Sequence, residues 1–216
     1  MSARRIDFSF DFISPYAYLA WTQVHAVADR HGAAVRPVPI LFAGLLNHWG
    51  HKGPAEIPPK RVYVFKDSFR RAARLGVPYG PPPSHPFNPL LALRVVHAAG
   101  MNRELIDALF AATWGEAPHK GLEHPEVVAG CADAVGLDGA ALLERATDPA
   151  IKAAVRDATE AAVRAGVFGV PTMSVGEEHF WGVDSLDLLD QHLAGEDPVT
   201  ADLLARVDSL PASAKR

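Results

Sequence analysis

Asp11-Phe12-Ile13-Ser14-Pro15-Tyr16 is the stretch of the chain that decides its fold. It closes a segment, residues 5–12, in which apolar and polar side chains alternate, and this alternation indicates a β-strand. Ser14 then suits a helix N-cap, and Pro15 suits the first helical position. Far downstream, Gly169-Val170-Pro171-Thr172 starts another short strand with a proline. Together the two segments predict a hydroxyl group at a helix N-terminus that faces a proline-led strand.

The residues that follow predict a β-α-β unit. Apolar side chains at helical spacing run from Tyr16 onward, until Gly32 ends the helix. Residues 35–41 have the pattern of a second strand. Pro37 and Pro39 favour an edge position for this strand, because proline cannot donate a hydrogen bond to a neighbouring strand.

The middle of the chain is predicted to be helical. We expect a loop over 48–59 and an extended, proline-rich segment over 77–89. Asn102 and Asp148 are predicted N-caps. Helical periodicity covers residues 58–75, 89–99, 103–114, 125–135, 139–146 and 149–165.

Strand character returns near the C-terminus. Residues 171–175 alternate, Gly176-Glu177 can turn, and residues 179–181 can pair back as a hairpin. A last helix is predicted over 185–193, with Asp184 as its cap.

The order of these elements predicts an α/β fold made of two units. One is discontinuous and contains the sheet, over residues 1–45 and 166–216, and the other is an inserted helical domain over 46–165.

Composition excludes several classes of protein. The 216 residues are 49% apolar and 21% charged, with a net charge of −4 and no long run of one sign, which argues against partners such as nucleic acid or a membrane surface. Cys131 is the single cysteine, so no intramolecular disulfide can form. No apolar run is long enough to span a membrane, and Asp7 and Asp11 interrupt any signal-peptide core, so we expect a cytoplasmic protein. The histidines form no metal-binding motif, and no metal site is expected.

Three motifs together resemble the 2-hydroxychromene-2-carboxylate isomerase family, whose relatives are the kappa-class glutathione transferases and the DsbA-like proteins. The resemblance extends from about Ile6 to Leu193. It implies a thioredoxin-like fold with a large inserted all-α domain, a glutathione cofactor and a homodimer. The motifs are Phe12-x-Ser14-Pro15-Tyr16-x-Tyr18-Leu19, Gly166-Val167-Phe168-Gly169-Val170-Pro171-Thr172 and Phe180-Trp181-Gly182-x-Asp184-x-Leu186.

The resemblance gives several of these residues a role in binding glutathione. It places Ser14 beside the glutathione sulfur, where free N–H groups and the helix dipole stabilise a thiolate and the hydroxyl can donate to it. It implies a cis bond before Pro171, which turns the N–H and C=O of Val170 toward the cysteine backbone of glutathione. Asp184 and Ser185 are expected to bind the γ-glutamyl end. From local sequence alone, Ser14 and Asp184 are equally well explained as helix caps.

The resemblance also suggests substrate contacts. It places a lysine and a tyrosine, Lys60 and Tyr63 here, around the glycyl end of glutathione or the acidic substrate, whereas the residues alone suggest a solvated helix face. Asn88 either caps a helix or lines the substrate pocket. Relatives often have Gly-Asn in the preceding loop, where this chain has Gly50-His51.

The implied activity is glutathione-dependent interconversion of 2-hydroxychromene-2-carboxylate and trans-o-hydroxybenzylidenepyruvate by reversible thiolate addition, a step in the breakdown of naphthalene-type aromatics. The substrate class is a small aromatic 2-oxo acid. Two alternatives stay open: a kappa-like transferase that conjugates electrophiles, and a non-catalytic thiol or peptide binder. Disulfide exchange is not expected, because Ser14-Pro15-Tyr16-Ala17 stands where a redox enzyme has its two cysteines.

Overall fold

A mixed β-sheet forms the base of the molecule. The computed structural model describes residues 4–116 and 119–211. In this part of the chain the four strands are ordered β2-β1-β3-β4. β1 is parallel to β2 and antiparallel to β3, and β3 and β4 form the predicted hairpin. The edge position predicted for the proline-containing strand is confirmed. The strands are β1 (Arg5–Phe10), β2 (Ala34–Pro39), β3 (Thr172–Val175) and β4 (Glu178–Trp181).

Helices surround the sheet and fill the middle of the sequence. Asn102 and Asp148 cap their helices as predicted, since their side chains accept from the N–H groups of Leu105 and Ala150. Short 3₁₀ turns cover Pro54–Glu56 and Val183–Ser185. The helices are α1 (Pro15–Arg30), α2 (Phe42–Trp49), α3 (Pro58–Leu75), α4 (Leu90–Ala98), α5 (Arg103–Trp114), α6 (Pro125–Ala134), α7 (Gly139–Arg145), α8 (Pro149–Arg164), α9 (Leu186–Leu193) and α10 (Ala201–Asp208).

Two local predictions are wrong. The loop predicted over 48–59 overlaps the end of α2, which stops only at Gly50 in the left-handed conformation with φ 65°, and it also contains the Pro54–Glu56 turn. Asp184 does not cap the last helix, because it lies inside the 3₁₀ turn and α9 begins after Ser185 without a side-chain cap.

The larger of two hydrophobic clusters in the described residues joins the sheet to the inserted helices. Phe10 and Phe12 lie against Phe110 of α5, with ring centroids 5.4 and 4.8 Å apart. Trp114 at the end of α5 is fully buried, and its indole N–H donates to the carbonyl of Phe12 over 2.8 Å. The α/β architecture interrupted by a helical block is confirmed. The predicted boundary after residue 45 falls within α2, and the division into two domains stays a prediction.

No helix within 4–116 and 119–211 is long and apolar enough to cross a membrane. In the same ranges, no group of three or more His, Cys, Asp or Glu side chains is arranged to hold a metal ion.

Candidate active site

A cavity of about 1010 Å³ opens where α1 begins. Its walls come from the start of α1, from α2 and the loop after it, from α3, and from the segment before β3. Most of the lining is apolar. Of the residues predicted from sequence, the cavity brings together Ser14, Lys60 and Val170. Gly50 and His51 line it as well.

The Ser14 hydroxyl lies at the head of α1. Its oxygen accepts a hydrogen bond from the N–H of Ala17 at 3.2 Å, which confirms the predicted N-cap. The same hydroxyl is a donor 3.4 Å from the carbonyl of Val170, a long and therefore weak hydrogen bond. The proton of Ser14 is thus available to a better acceptor placed in the cavity.

The segment before β3 faces Ser14. The bond between Val170 and Pro171 is cis, as predicted, and a second cis bond joins His85 to Pro86. Pro171 itself is buried behind Val170 and does not line the cavity. Among the described residues, the backbone N–H groups of Val170 and Tyr16 have no hydrogen-bond partner. Two unpaired N–H donors and one hydroxyl donor therefore lie around the same end of the cavity.

Asp11 contributes a buried carboxyl group to this cavity. Its side chain is fully buried and accepts from the N–H of Phe42 at 2.8 Å and of Ile13 at 3.1 Å. Burial raises the pKa of the Asp11 carboxyl to about 7, although these backbone donors oppose the shift. From the sequence alone, Asp11 is a polar position in a strand and an interruption of the apolar N-terminal stretch, with no predicted role in a site. The sequence signal for a buried role of Asp11 is its position between two phenylalanines, next to a predicted helix start.

Basic side chains lie along another wall. Lys60 and Arg61 at the start of α3 and Lys52 in the preceding loop line the cavity, with Glu56 as their nearest acid in sequence. The Glu56 carboxylate accepts from the N–H of Gly53 at 2.6 Å, and it supplies one negative charge against three cationic side chains. This wall therefore carries unneutralised positive charge. Of these three cations, Lys60 is predicted from the sequence, whereas Lys52 and Arg61 are added by the structure.

His85 closes the inner end of the cavity. Its Nε2 atom lies 3.0 Å from the carbonyl oxygen of Ile13, which can only accept, so Nε2 carries the proton. Burial lowers the pKa of His85, which favours the neutral form of the ring. The ring also packs edge-on against Phe65 and Trp114. The neutral ring and its aromatic neighbours make this end suited to a flat, apolar group.

Two aromatic side chains stand at the mouth of the cavity. Phe168 and Trp181 meet edge to face with centroids 5.2 Å apart, and they are 42% and 54% exposed. Gly169 passes directly under them. A Cβ atom at Gly169 would lie 2.4 Å from the indole nitrogen of Trp181, so any larger residue there would force the Trp181 ring to move.

The other predicted residues lie outside this cavity. Asp184 and Ser185 follow β4, and the Ser185 hydroxyl donates to the Trp181 carbonyl at 2.7 Å. Tyr63 is 61% exposed on the outer side of α3. The Asn88 side chain accepts from the N–H of Leu90 at 3.1 Å, a local turn contact before α4, whose N-cap position is Pro89.

Arg71 of α3 is paired with Asp67 near α1 and lies within electrostatic range of Asp184. Its Nε atom donates to Asp67 at 2.6 Å, and Asp67 also accepts from the hydroxyl of Tyr16 at 2.8 Å. The hydrogen bond to Asp67, together with the negative charge of Asp184, raises the pKa of Arg71. A basic and an acidic group are thus close to each other beyond the Ser14 end of the cavity.

Known proteins share this architecture. Residues 5–194 match the family described as DSBA-like thioredoxin domain. The chain is 35% identical over 198 residues to a 2-hydroxychromene-2-carboxylate isomerase of Sphingobium xenophagum, covering 88% of this chain and 98% of that protein. It is 25% identical over 208 residues to Glutathione S-transferase kappa 1 of Homo sapiens, covering 89% and 92%. The solved structure of a 2-hydroxychromene-2-carboxylate isomerase superposes with a TM-score of 0.78 at 27% identity, over 95% of this chain and 98% of the other.

Proposed function

Since the chain belongs to the DSBA-like thioredoxin domain family, and within it to the 2-hydroxychromene-2-carboxylate isomerases, we propose that it is a glutathione-dependent isomerase. The proposed reaction interconverts 2-hydroxychromene-2-carboxylate and trans-o-hydroxybenzylidenepyruvate in the breakdown of aromatic compounds. The predicted thioredoxin-like fold with a helical insertion is confirmed. The observation that carries the proposal is the Ser14 hydroxyl, which faces Val170 in a cavity with a basic wall and an aromatic end.

The donors around Ser14 fit a thiolate. The unpaired N–H of Tyr16 and the Ser14 hydroxyl both lie at the positive end of the α1 dipole. The unpaired N–H of Val170 can pair with an extended peptide, as in strand addition. When bound there, glutathione would supply a nucleophilic thiolate that is regenerated in each turnover. The cavity volume of about 1010 Å³ lies at the upper end of small-molecule sites, which suits a tripeptide together with a bicyclic acid.

The two ends of glutathione would meet different groups. We propose that Asp184 and Ser185 bind the γ-glutamyl group, and that Arg71 assists by attracting its carboxylate. An amino acid head group carries both charges, and the neighbouring Asp184 and Arg71 offer one partner for each.

The basic wall is proposed to hold the substrate carboxylate. Lys60, with Lys52 and Arg61 nearby in the lining, lies on the wall where cationic side chains outnumber the single acid, Glu56. The aromatic ring of the substrate would then lie toward His85, whose neutral ring and neighbours form an apolar surface. Tyr63 and Asn88, which lie outside the cavity, are left out of this assignment.

The test is ultraviolet-monitored isomerisation of 2-hydroxychromene-2-carboxylate, with and without glutathione. We expect turnover that requires glutathione, and a decrease in kcat of about tenfold or more in Ser14→Ala, because one hydrogen bond to a charged group is lost. Ser84→Ala, an exposed serine that contacts Glu123, is the matched control and should retain full activity. Turnover independent of glutathione would contradict the proposal.

A kappa-like transferase is the second candidate. The similarity to Glutathione S-transferase kappa 1 over 89% of the chain favours it. Mass spectrometry of the products separates the two reactions. A glutathione adduct that accumulates in proportion to enzyme would assign the transferase, whereas free glutathione recovered in full would assign the isomerase. Glutathione binding without either product would identify a thiol binder.

We also propose that the protein is a homodimer. α3 exposes Val62, Tyr63 and Phe69, which are 55%, 61% and 44% accessible, and large exposed apolar side chains on one helix favour association. Light scattering of the purified protein should give twice the 23.2 kDa mass of the chain. The mass of a single chain would contradict the proposal.

A further inference from the structure

A second cavity lies behind α2, on the side away from Ser14. Its volume is about 640 Å³, and its walls are α2, α4 and α8. Leu41 lines both cavities, so the first turn of α2 separates them. The inner surface is apolar, formed by Leu41, Leu90, Val155 and Val163. A volume of this size lies in the range of sites that enclose small organic molecules.

Positive charge dominates the polar part of this second cavity. The cationic side chains are Arg94, Lys152, Arg156 and Arg164, and Glu160 is the single acid in the lining. Glu160 lies 3.9 Å from Arg156 and 3.8 Å from Arg164, so its charge is already shared between two partners. Within residues 4–116 and 119–211, Arg94 and Lys152 form no salt bridge. The cavity therefore has an uncompensated positive side.

Arg94 is the informative residue. It projects from α4, and its Nε atom is buried with no hydrogen-bond partner among the described residues. A buried donor without a partner costs free energy, and a guanidinium group offers a planar set of donors that matches a carboxylate. Nε itself is closed off from solvent, so an anion in the cavity would pair with the two terminal nitrogens of Arg94, which also have no hydrogen-bond partner among the described residues.

We propose that the second cavity binds a small organic anion with an apolar body and a carboxylate group. Its apolar part lies against Leu90 and Val155, and its carboxylate pairs with Arg94 and then with Lys152. The site is separate from the one proposed for isomerisation, because no residue with a polar side chain lines both cavities.

The probe is 1-naphthoate, titrated by calorimetry into the whole protein. The first cavity also has a basic wall, so 1-naphthoate can bind in both cavities. Lys60→Gln is chosen to weaken binding in the first cavity, and Arg94→Gln to weaken binding in the second. We expect Arg94→Gln to abolish binding of 1-naphthoate in the second cavity or to weaken it at least about tenfold. Lys60→Gln should leave the affinity of the second cavity unchanged. Arg145→Gln, an exposed arginine at the end of α7, is the matched control and should change neither event.

Two further measurements keep the test decisive. Arg94→Lys retains the charge without the planar fork, so it should bind 1-naphthoate with intermediate affinity, and it replaces Arg94→Gln if the latter does not fold. The neutral 1-naphthamide should fail to bind the site removed by Arg94→Gln. Equal affinity for the amide, or unchanged binding in both Arg94 variants, would overturn the proposal. Loss of isomerase activity in Lys60→Gln alone would leave it intact.

Discussion

At Ser14 one hydroxyl group caps a helix and faces the cavity at the same time. The oxygen accepts from Ala17, and the proton is only weakly engaged by Val170, so the two functions use different parts of the same group. The sequence pattern reveals the cap, and the position of the group in space reveals the second function. The chemistry of this position can be tested by changing its oxygen to sulfur.

Ser14→Cys should create a reactive thiol. A cysteine at the start of α1 would have a lowered pKa, whereas burial raises the pKa of Cys131. With oxidised glutathione, the new thiolate attacks the disulfide, forms a mixed disulfide and releases one reduced glutathione. We expect residue 14 to be modified at least about tenfold faster than Cys131, as measured by peptide mass mapping. The wild-type protein, modified only at Cys131, is the control, and equal rates at both sites would contradict the argument.

Asp11 should make stability depend on pH. Because burial raises the pKa of its carboxyl to about 7, the folded protein retains a proton that the unfolded chain releases above its ordinary value of 3.8. The free energy of unfolding should therefore fall as pH rises between these two values, and Asp11→Asn should remove this dependence.

Urea denaturation at about pH 5 and about pH 8 measures the change in the free energy of unfolding, whose upper limit is about 3 kcal/mol because about two pH units of this range lie below the raised pKa. Asp11→Asn also loses a hydrogen bond, which changes the free energy of unfolding by the same amount at both pH values. It does not change how the free energy of unfolding depends on pH. Asp157→Asn, in an exposed pair with Arg156, should leave the slope unchanged. Parallel pH profiles for wild type and Asp11→Asn would show that Asp11 does not titrate in this range.

Among the secondary-structure elements, α2 is the one whose position depends on close contact. Its Gly44 lies against α8, and a Cβ atom there would be 2.8 Å from Cγ2 of Thr159. Thr159 cannot simply rotate away, because its hydroxyl donates to the Val155 carbonyl and accepts from the N–H of Leu41. Thr159 thus holds α2 at a short distance that only glycine permits.

Gly44→Ala should destabilise the protein although alanine favours helices. Alanine gains about 1 kcal/mol of helix propensity, but overpacking costs about 1–3 kcal/mol, so we expect a net loss in chemical denaturation. Thr159→Ser removes Cγ2 and retains the hydroxyl. The double variant with Gly44→Ala should therefore regain at least the stability that Gly44→Ala alone loses. Additive effects of the two substitutions would show that the two residues do not press on each other.

For the whole molecule, the continuous core predicts a single unfolding transition. Trp114→Phe removes the indole donor and leaves the Phe12 carbonyl, which lies where the sheet meets the inserted helices, without this partner. We expect a loss of about 2–4 kcal/mol in stability, from the unpaired carbonyl and the lost volume. Circular dichroism and tryptophan fluorescence should report the same midpoint. Trp181→Phe, at a 54% exposed position, is the control and should have little effect on stability. Two separate unfolding transitions would mean that the core does not couple the sheet to the inserted helices.

The sequence predicts local features of this molecule better than those that depend on distant contacts. The strand before Ser14, the cap itself and the bounds of α3 and α5 follow from alternation, propensity and periodicity. α2 was missed because Leu41 provides no side-chain cap, although Gly50 was a usable stop signal. The burial of Asp11 depends on its contact with Phe42. The lack of a partner for Arg94 among the described residues depends on how α8 packs. A local sequence pattern encodes neither of these distant contacts.

The position of α2 as a partition has a thermodynamic consequence. On one side the N–H of Phe42 is fixed to Asp11, and on the other the N–H of Leu41 is fixed to Thr159 at 3.0 Å. In a closely packed interior, a shift of this helix that widens one cavity narrows the other. Ligands bound in the two cavities would therefore show negative cooperativity, and each would lower the protein's affinity for the other by the same factor.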